Sequence, residues 1–174
     1  VPMWWSPDPR ANFDPEHLHI SRSLAKTLRR NNFRLTWNTC FERVMRACGE
    51  GRDGGTWIIP EMLAAYTELH RLGHAHSLEV WIEKELVGGT YGVQVGSLFA
   101  AESMFHRRTD MSKVAVVALV RSLFRKGITL LDVQMPTEHL RSLGVQECSR
   151  RDYLSRLAVA RDHVLDLTDL TLSV

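Results

Sequence analysis

Two stretches carry residues that could do chemistry. In GSLFAAESMF, Gly96 to Phe105, a single carboxylate, Glu102, sits among small, apolar and aromatic side chains. An unpaired buried charge is costly, so Glu102 should meet a cation, stand beside a cavity, or reach water at a strand end. In LLDVQ, Asp132 and Gln134 lie two residues apart. On a strand that spacing sends both side chains to one face, where they either tie down neighbouring loops or receive and orient a reacting group. A third cluster, HRLGHAHS, offers His70, His74 and His76. His70 and His74 share a helical face only if the helix runs past Gly73, and no carboxylate or Cys completes a ligand set, so no metal site is expected.

The elements that position these residues follow from periodicity. SRSLAKTLRRN (21–31) predicts a helix with Ser21 as N-cap, and FRLTW (33–37) alternates as a strand. NTCFERVMRACGEG (38–51) has an apolar stripe at Phe41, Val44, Met45 and Cys48, and PEMLAAYTELHRLG (60–73) starts on Pro60 and stops at Gly73. Residues 76–105 alternate and break twice, which predicts two or three antiparallel strands. MSKVAVVALVRSLFRKG (111–127) is apolar on more than one side and should be a helix buried against a sheet. ITLLDVQ is a central strand, TEHLRSLG a short helix capped by Thr137, and VQEC with RRDYLSRLAVARDHVL a last strand and helix.

Composition sets the frame. The 174 residues, 44% hydrophobic and 24% charged, suit one soluble domain with a real core. The expected organisation is an irregular Pro-rich lead over residues 1–20 and a single domain over 21–174. A net charge of +2 is mild, so a nucleic-acid partner must be argued from local clusters. Arg22, Lys26, Arg29 and Arg30 make one such cluster, a basic stripe at i, i+4, i+7 and i+8 that is either a solvated helix face or a row of phosphate contacts. Arg107, Arg108, Arg150 and Arg151 are weaker candidates for the same role. No apolar run reaches membrane-spanning length, and VPMWWSPDPR lacks the features of a secretion signal. Three cysteines, Cys40, Cys48 and Cys148, form no CxxC pair, which favours free thiols in a reducing cytoplasm.

The order strand, helix, helix, three meandering strands, buried helix, strand, helix, strand is that of the GCN5-related N-acetyltransferase fold, an α+β architecture with helices flanking a mixed sheet. Proteins of that fold usually hold the coenzyme A pyrophosphate on a glycine-bearing loop at the start of the long helix. Here that loop reads HRRTDMSK (106–113), without glycine, so acyl-CoA is not the expected donor.

The runs WWSPDPR, LHISRSL, GTWI, AYTELHRLGHAHSLEVW, ELVGGTYG, ESMF, LLDVQ and HLRSLG with RRDYL, taken in this order, resemble the bacterial leucyl/phenylalanyl-tRNA protein transferases over nearly the whole chain. The resemblance implies transfer of Leu or Phe from aminoacyl-tRNA to a protein with an N-terminal Arg or Lys, marking it for degradation. Charged tRNA is then the donor substrate, with no cofactor, metal or membrane partner. It also implies catalytic roles for Asp132 and Gln134, and contact of Glu102 with a cationic acceptor. Trp57, Phe99, Met104 and Leu131 would form an apolar pocket or platform. Thr90, Val116 and Leu119 would surround the transferred side chain, and Thr137 stands where better-studied members have Asn. Members normally carry a further N-terminal segment with a Phe-Pro-Trp element, and this chain starts just after it. Transfer to a small-molecule amine and a non-catalytic tRNA-binding role are the alternatives.

The implied chemistry asks little of a base. An α-amino group has a pKa near 7.7–8.0, so presenting it neutral at pH 7 costs roughly 1 kcal/mol, whereas orienting amine and ester contributes on the order of 7–11 kcal/mol. A Gln carbonyl that aims the amine, polarised by Asp132, suffices, with direct proton abstraction by Asp132 as the other route.

Overall fold

The computed structural model describes residues 6–51 and 55–174, so Trp4 and Trp5 of the WWSPDPR run lie outside the described residues. Seven strands, β1 (Arg10–Phe13), β2 (Arg34–Trp37), β3 (Ala75–Ile82), β4 (Glu85–Val95), β5 (Leu98–His106), β6 (Leu130–Gln134) and β7 (Gln146–Cys148), form one sheet in the order β2-β3-β4-β5-β6-β1-β7. The helices are α1 (Arg22–Arg30), α2 (Phe41–Gly49), α3 (Pro60–Arg71), α4 (Met111–Lys126), α5 (Glu138–Arg141) and α6 (Arg150–Ala160). Neighbouring strands are antiparallel except β5 and β6, which run parallel.

The expected elements are present, with one correction at the N-terminus. Residues 10–13 are not part of an irregular lead: they form β1, inserted between β6 and β7, with Ala11, Asn12 and Phe13 buried. Four residues flanked by prolines are too short to show alternation, and what holds them is distant pairing, Asn12 with Asp132 and with Gln146.

Two apolar layers fix the sheet. On one face α4 contributes Val114 to Val120 and Leu123 to a core shared with Leu78, Val80, Phe99 and Leu131, and Leu24 of α1 joins it. On the other face α2 and α3 pack over Trp81, Leu86, Tyr91 and Phe105. Tyr153 of α6 covers Leu98 and Leu130. The helix α1 begins as expected, Ser21 Oγ accepting from the Leu24 N–H at 3.2 Å. Gly88 explains how α4 comes so close to β4: a Cβ there would lie 2.8 Å from Met111 Cβ. At Gly92 a Cβ would run into the Phe99 ring and the Ala100 carbonyl.

The β4–β5 ladder carries one irregularity. Tyr91 pairs with Ser103 but Gly92 with Ala101, so Glu102 is the extra residue of a bulge in β5. The parallel pairing of β5 with β6 ends nearby, at Ala100 with Asp132. Beyond that pair the strands separate, and a cavity opens between Glu102 and Gln134.

Candidate active site

The cavity has a volume of about 520 Å³ and is bordered by Glu102, Gln134, Thr90, Met104, Val133 and Leu140 among others. Larger clefts, one between α2 and α3 and one beside α1, hold none of the expected catalytic or acceptor-contacting residues.

Asp132 lies behind the cavity, its side chain fully buried. Its carboxylate accepts four hydrogen bonds: from Arg10 Nε at 3.0 Å, Arg10 Nη2 at 2.6 Å, the Gln134 backbone N–H at 3.0 Å and the Tyr153 hydroxyl at 3.2 Å. The Arg10 guanidinium also lies over the Tyr153 ring, 4.5 Å from its centroid. Burial, then the Asp132 charge, pushes the Tyr153 hydroxyl up to about 12, so it stays a donor at neutral pH.

Two consequences follow for the expected Asp-Gln pair. Asp132 has both oxygens engaged in hydrogen bonds and no exposure, which favours a positioning role over the route in which it takes a proton directly. Its link to Gln134 runs through the main chain, not through the side-chain amide. Gln134 adopts φ +60°, a left-handed conformation uncommon for a residue with a Cβ. The Asp132 hydrogen bond to its N–H holds it there. That turn is why the expected alternation fails at this point: Asp132 reaches toward α6, whereas Gln134 borders the cavity.

Of the three expectations for Glu102, the cavity is the one that the structure shows. Glu102 borders the cavity, and it accepts from the Tyr66 hydroxyl on α3. Arg10 is the cation in its electrostatic surroundings, yet that charge is already spent on Asp132. Burial, reinforced by the Asp132 charge, therefore raises the Glu102 carboxyl to about 7 against the lowering effects of Tyr66 and Arg10. Two carboxylates share one guanidinium, and near neutral pH the site has room for one more positive charge.

The expected pocket residues divide between the cavity wall and the core. Met104 and Thr90 border the cavity, but the Thr90 hydroxyl is committed to the Ser103 carbonyl at 2.9 Å. Phe99 and Leu131, register partners across β5 and β6, are fully buried, and Val116 and Leu119 lie one to two turns into α4. All four belong to the core behind the cavity and not to its wall, because their side chains fill the space between α4 and the sheet. Trp57 is 41% exposed and meets the Tyr66 ring edge-on at 5.9 Å, so it backs the residue that holds Glu102 instead of lining the cavity. Thr137 borders the cavity and caps α5, accepting from the Leu140 N–H.

Arg22, Lys26, Arg29 and Arg30 are all exposed along α1. Arg30 also borders the cleft that includes Arg108 and the start of α4. Arg107 and Arg108 are paired with Glu50 and Glu85. The histidines have structural duties: His70 Nδ1 lies 2.8 Å from the Ala75 carbonyl, and His76 bridges Asn38 and Gln94. None of the helices among the described residues is long and apolar enough to cross a membrane.

Sequence reasoning missed Arg10, Tyr66 and Tyr153. The signal was that Arg10 closes the WWSPDPR run, Tyr66 is second in AYTELHRLGHAHSLEVW and Tyr153 fourth in RRDYL, all used for the resemblance but assigned no role in the site.

The one parallel pair of the sheet splays at a bulge and presents an amide and a carboxylate at the opening. A GCN5-related N-acetyltransferase from Kribbella flavida has the same fold, with a TM-score of 0.51 and 10% identity over 82% of this chain and 55% of that one. The family model for leucyl/phenylalanyl-tRNA protein transferase matches residues 13–158. The transferase of that name from Chromobacterium violaceum is 54% identical over 157 residues, covering 89% of this chain and 67% of the relative. The one from Shewanella baltica is 47% identical over 171 residues, covering 97% and 72%. The chain belongs to the leucyl/phenylalanyl-tRNA protein transferase family, and it is an aminoacyltransferase.

Proposed function

We propose that the cavity between Glu102 and Gln134 joins an aminoacyl group from charged tRNA to the N-terminal amine of a protein that begins with Arg or Lys, tagging that protein for degradation. The carrying observation is that Gln134 is held in a left-handed turn by Asp132 at the mouth of a cavity that Glu102 shares. The amine nitrogen attacks the ester carbonyl, the C–N bond forms, and the ester C–O bond breaks. The terminal ribose oxygen leaves and takes up the proton lost by the amine. Gln134 receives and aims the amine N–H, and Asp132 is a positioning residue that keeps Gln134 in place through its main chain. Orientation supplies the larger share of such a rate, so no strong base is required.

Glu102 pairs with the acceptor's cationic group. The proton that Glu102 holds near pH 7 marks where a guanidinium or ammonium takes its place. Thr90 and Met104 border the space for the donor side chain, and the exposed stripe of α1 meets tRNA phosphates. Dependence on charged tRNA puts the enzyme in the cytoplasm.

The test is incubation of the protein with charged tRNAs and peptides starting with Arg, Lys or a neutral residue, with mass spectrometry of the products. Extended Arg- and Lys-peptides are expected. Extension of free amines alone supports the small-molecule reading, and no product with any acceptor supports a binding protein without turnover.

A further inference from the structure

Two arginines converge on one ring at the end of the sheet where β2 and β4 begin and β3 and β5 finish. Arg34, the first residue of β2, is the register partner of Trp81 and lies over its indole, Cζ 5.3 Å from the ring centroid. Arg43, in the first turn of α2, lies over the same indole, also at 5.3 Å. The ring is buried and both arginines are exposed. Neither forms an ion pair among the described residues, and Glu42, beside Arg43 in the chain, is taken by Arg46 at 2.6 Å. The platform is fixed from beneath. Trp81 Nε1 donates to Thr36 Oγ1 at 2.8 Å, and Thr36 Oγ1 donates to Glu79 at 2.6 Å. Glu79, fully buried, also accepts from the Cys40 N–H at the start of α2, at 3.3 Å. One carboxylate with no part in the cavity thus sets both the ring and the helix that brings Arg43 to it.

We propose that Arg34 and Arg43 form a second phosphate-binding element, separate from the α1 stripe, that grips the sugar–phosphate backbone of the donor tRNA. The inference rests on the reading of charged tRNA as donor. Two like charges held over one ring repel, and a phosphate between them relieves that repulsion. Stacking orders each guanidinium and leaves its edge N–H groups free, in the fork that fits phosphate oxygens. The position fits as well. His106, which borders the cavity, closes β5 at this same end of the sheet, and Arg30 of α1 borders a cleft there with Ile82 and Lys84. Leu24 of α1 packs in the α4 layer, whereas Trp81 packs in the α2 layer. The two basic elements therefore flank one end of the sheet from opposite faces, and a polyanion crossing that end toward the cavity meets both.

The experiment measures binding of the full chain to leucyl-tRNA and to the same tRNA deacylated, across a salt series. Replacing both arginines, Arg34→Gln with Arg43→Gln, should flatten the log–log salt slope by roughly 1–2 units. The loss should be equal for the two tRNAs, because phosphate contacts do not read the aminoacyl group. Arg34→Lys with Arg43→Lys keeps both charges and should keep the slope. Urea denaturation of the same variants identifies mere cover of the Trp81 ring, which would change stability and leave the slope alone. Should the double Gln variant not fold, Arg43→Gln, at an exposed helix position, carries the test with a loss of about one unit. An unchanged slope in the folded Gln variant, an equal loss in the Lys variant, or a loss confined to leucyl-tRNA overturns the inference and leaves the donor reading standing. Failure of the unaltered protein to bind either tRNA overturns the donor reading itself.

Discussion

Arg10 and Asp132, 122 residues apart in the chain, face each other as a two-pronged ion pair across neighbouring strands, Nε to Oδ1 at 3.0 Å and Nη2 to Oδ2 at 2.6 Å. The pair is nearly closed to solvent, with side-chain exposures of 14% and 0%. The same carboxylate grips the Gln134 N–H, so a residue of β1 with no place in the cavity controls the backbone of one that borders it.

Arg10→Met should therefore damage both folding and turnover. Removing one member of a buried pair leaves an uncompensated charge, at a cost of about 3 kcal/mol or more. Arg10→Lys restores charge but only one prong, and it should recover most of the stability while kcat stays depressed. Urea denaturation paired with steady-state kinetics checks this, and equal recovery of both quantities would count against control of Gln134 through Asp132.

Tyr153→Phe removes one of the four donors to Asp132 and keeps the ring under Arg10. The expected loss of stability is about 1 kcal/mol. Because Arg10 and the Gln134 N–H remain, kcat should drop modestly and the KM for charged tRNA should not move. A fall in kcat as large as that of Asp132→Asn would mean that the Tyr153 hydroxyl takes part in the reaction itself.

Glu102 sets a pH dependence whose sign is fixed by its raised value of about 7. The neutral acid is favoured in the folded state, so its contribution is present below the ordinary value of 4.5 and is lost as pH climbs through 7. Wild type should lose about 3 kcal/mol relative to Glu102→Gln between pH 4 and pH 8. Binding of an Arg-initiated peptide should run the other way, tightening as pH rises past 7. In Glu102→Gln that dependence should vanish, which titration calorimetry at several pH values can read directly.

The stripe on α1 makes a salt prediction. If Lys26, Arg29 and Arg30 each meet a phosphate, replacing all three by Ala should flatten the log–log salt slope of tRNA binding by roughly 2–3 units and weaken every tRNA alike. Filter binding across a salt series measures both effects. An unchanged slope would assign the stripe to a solvated helix face.

Much of the architecture could be read from the chain because it depends on local pattern. The all-round apolar character of residues 111–127 became the buried α4, and the interrupted alternation of 76–105 became β3 to β5. Glu102 stood out because one carboxylate in an apolar run demands an explanation, and the bulge that re-aims it is that explanation. What stayed hidden depends on distance. The four-residue β1 has no periodicity to detect, and the partners of Asp132 come from residues 10 and 153. The extent of the pocket wall was hard to read for a related reason: Phe99, Leu131, Val116 and Leu119 look alike as core or as lining, and their place in the structure depends on the packing of α4 against β5 and β6.

The insertion of β1 between β6 and β7 also fixes a schedule. The strand that supplies Arg10 precedes in the chain both strands that accept it, so it leaves the ribosome before either is made. At about 5–20 residues per second, synthesis of the 122 residues separating Arg10 from Asp132 takes roughly 6–24 s. Throughout that interval a nascent chain carries the basic helix α1 but no assembled centre. If the stripe meets tRNA as proposed, an unfinished copy would touch charged tRNA, the ribosome's own feedstock, without consuming it.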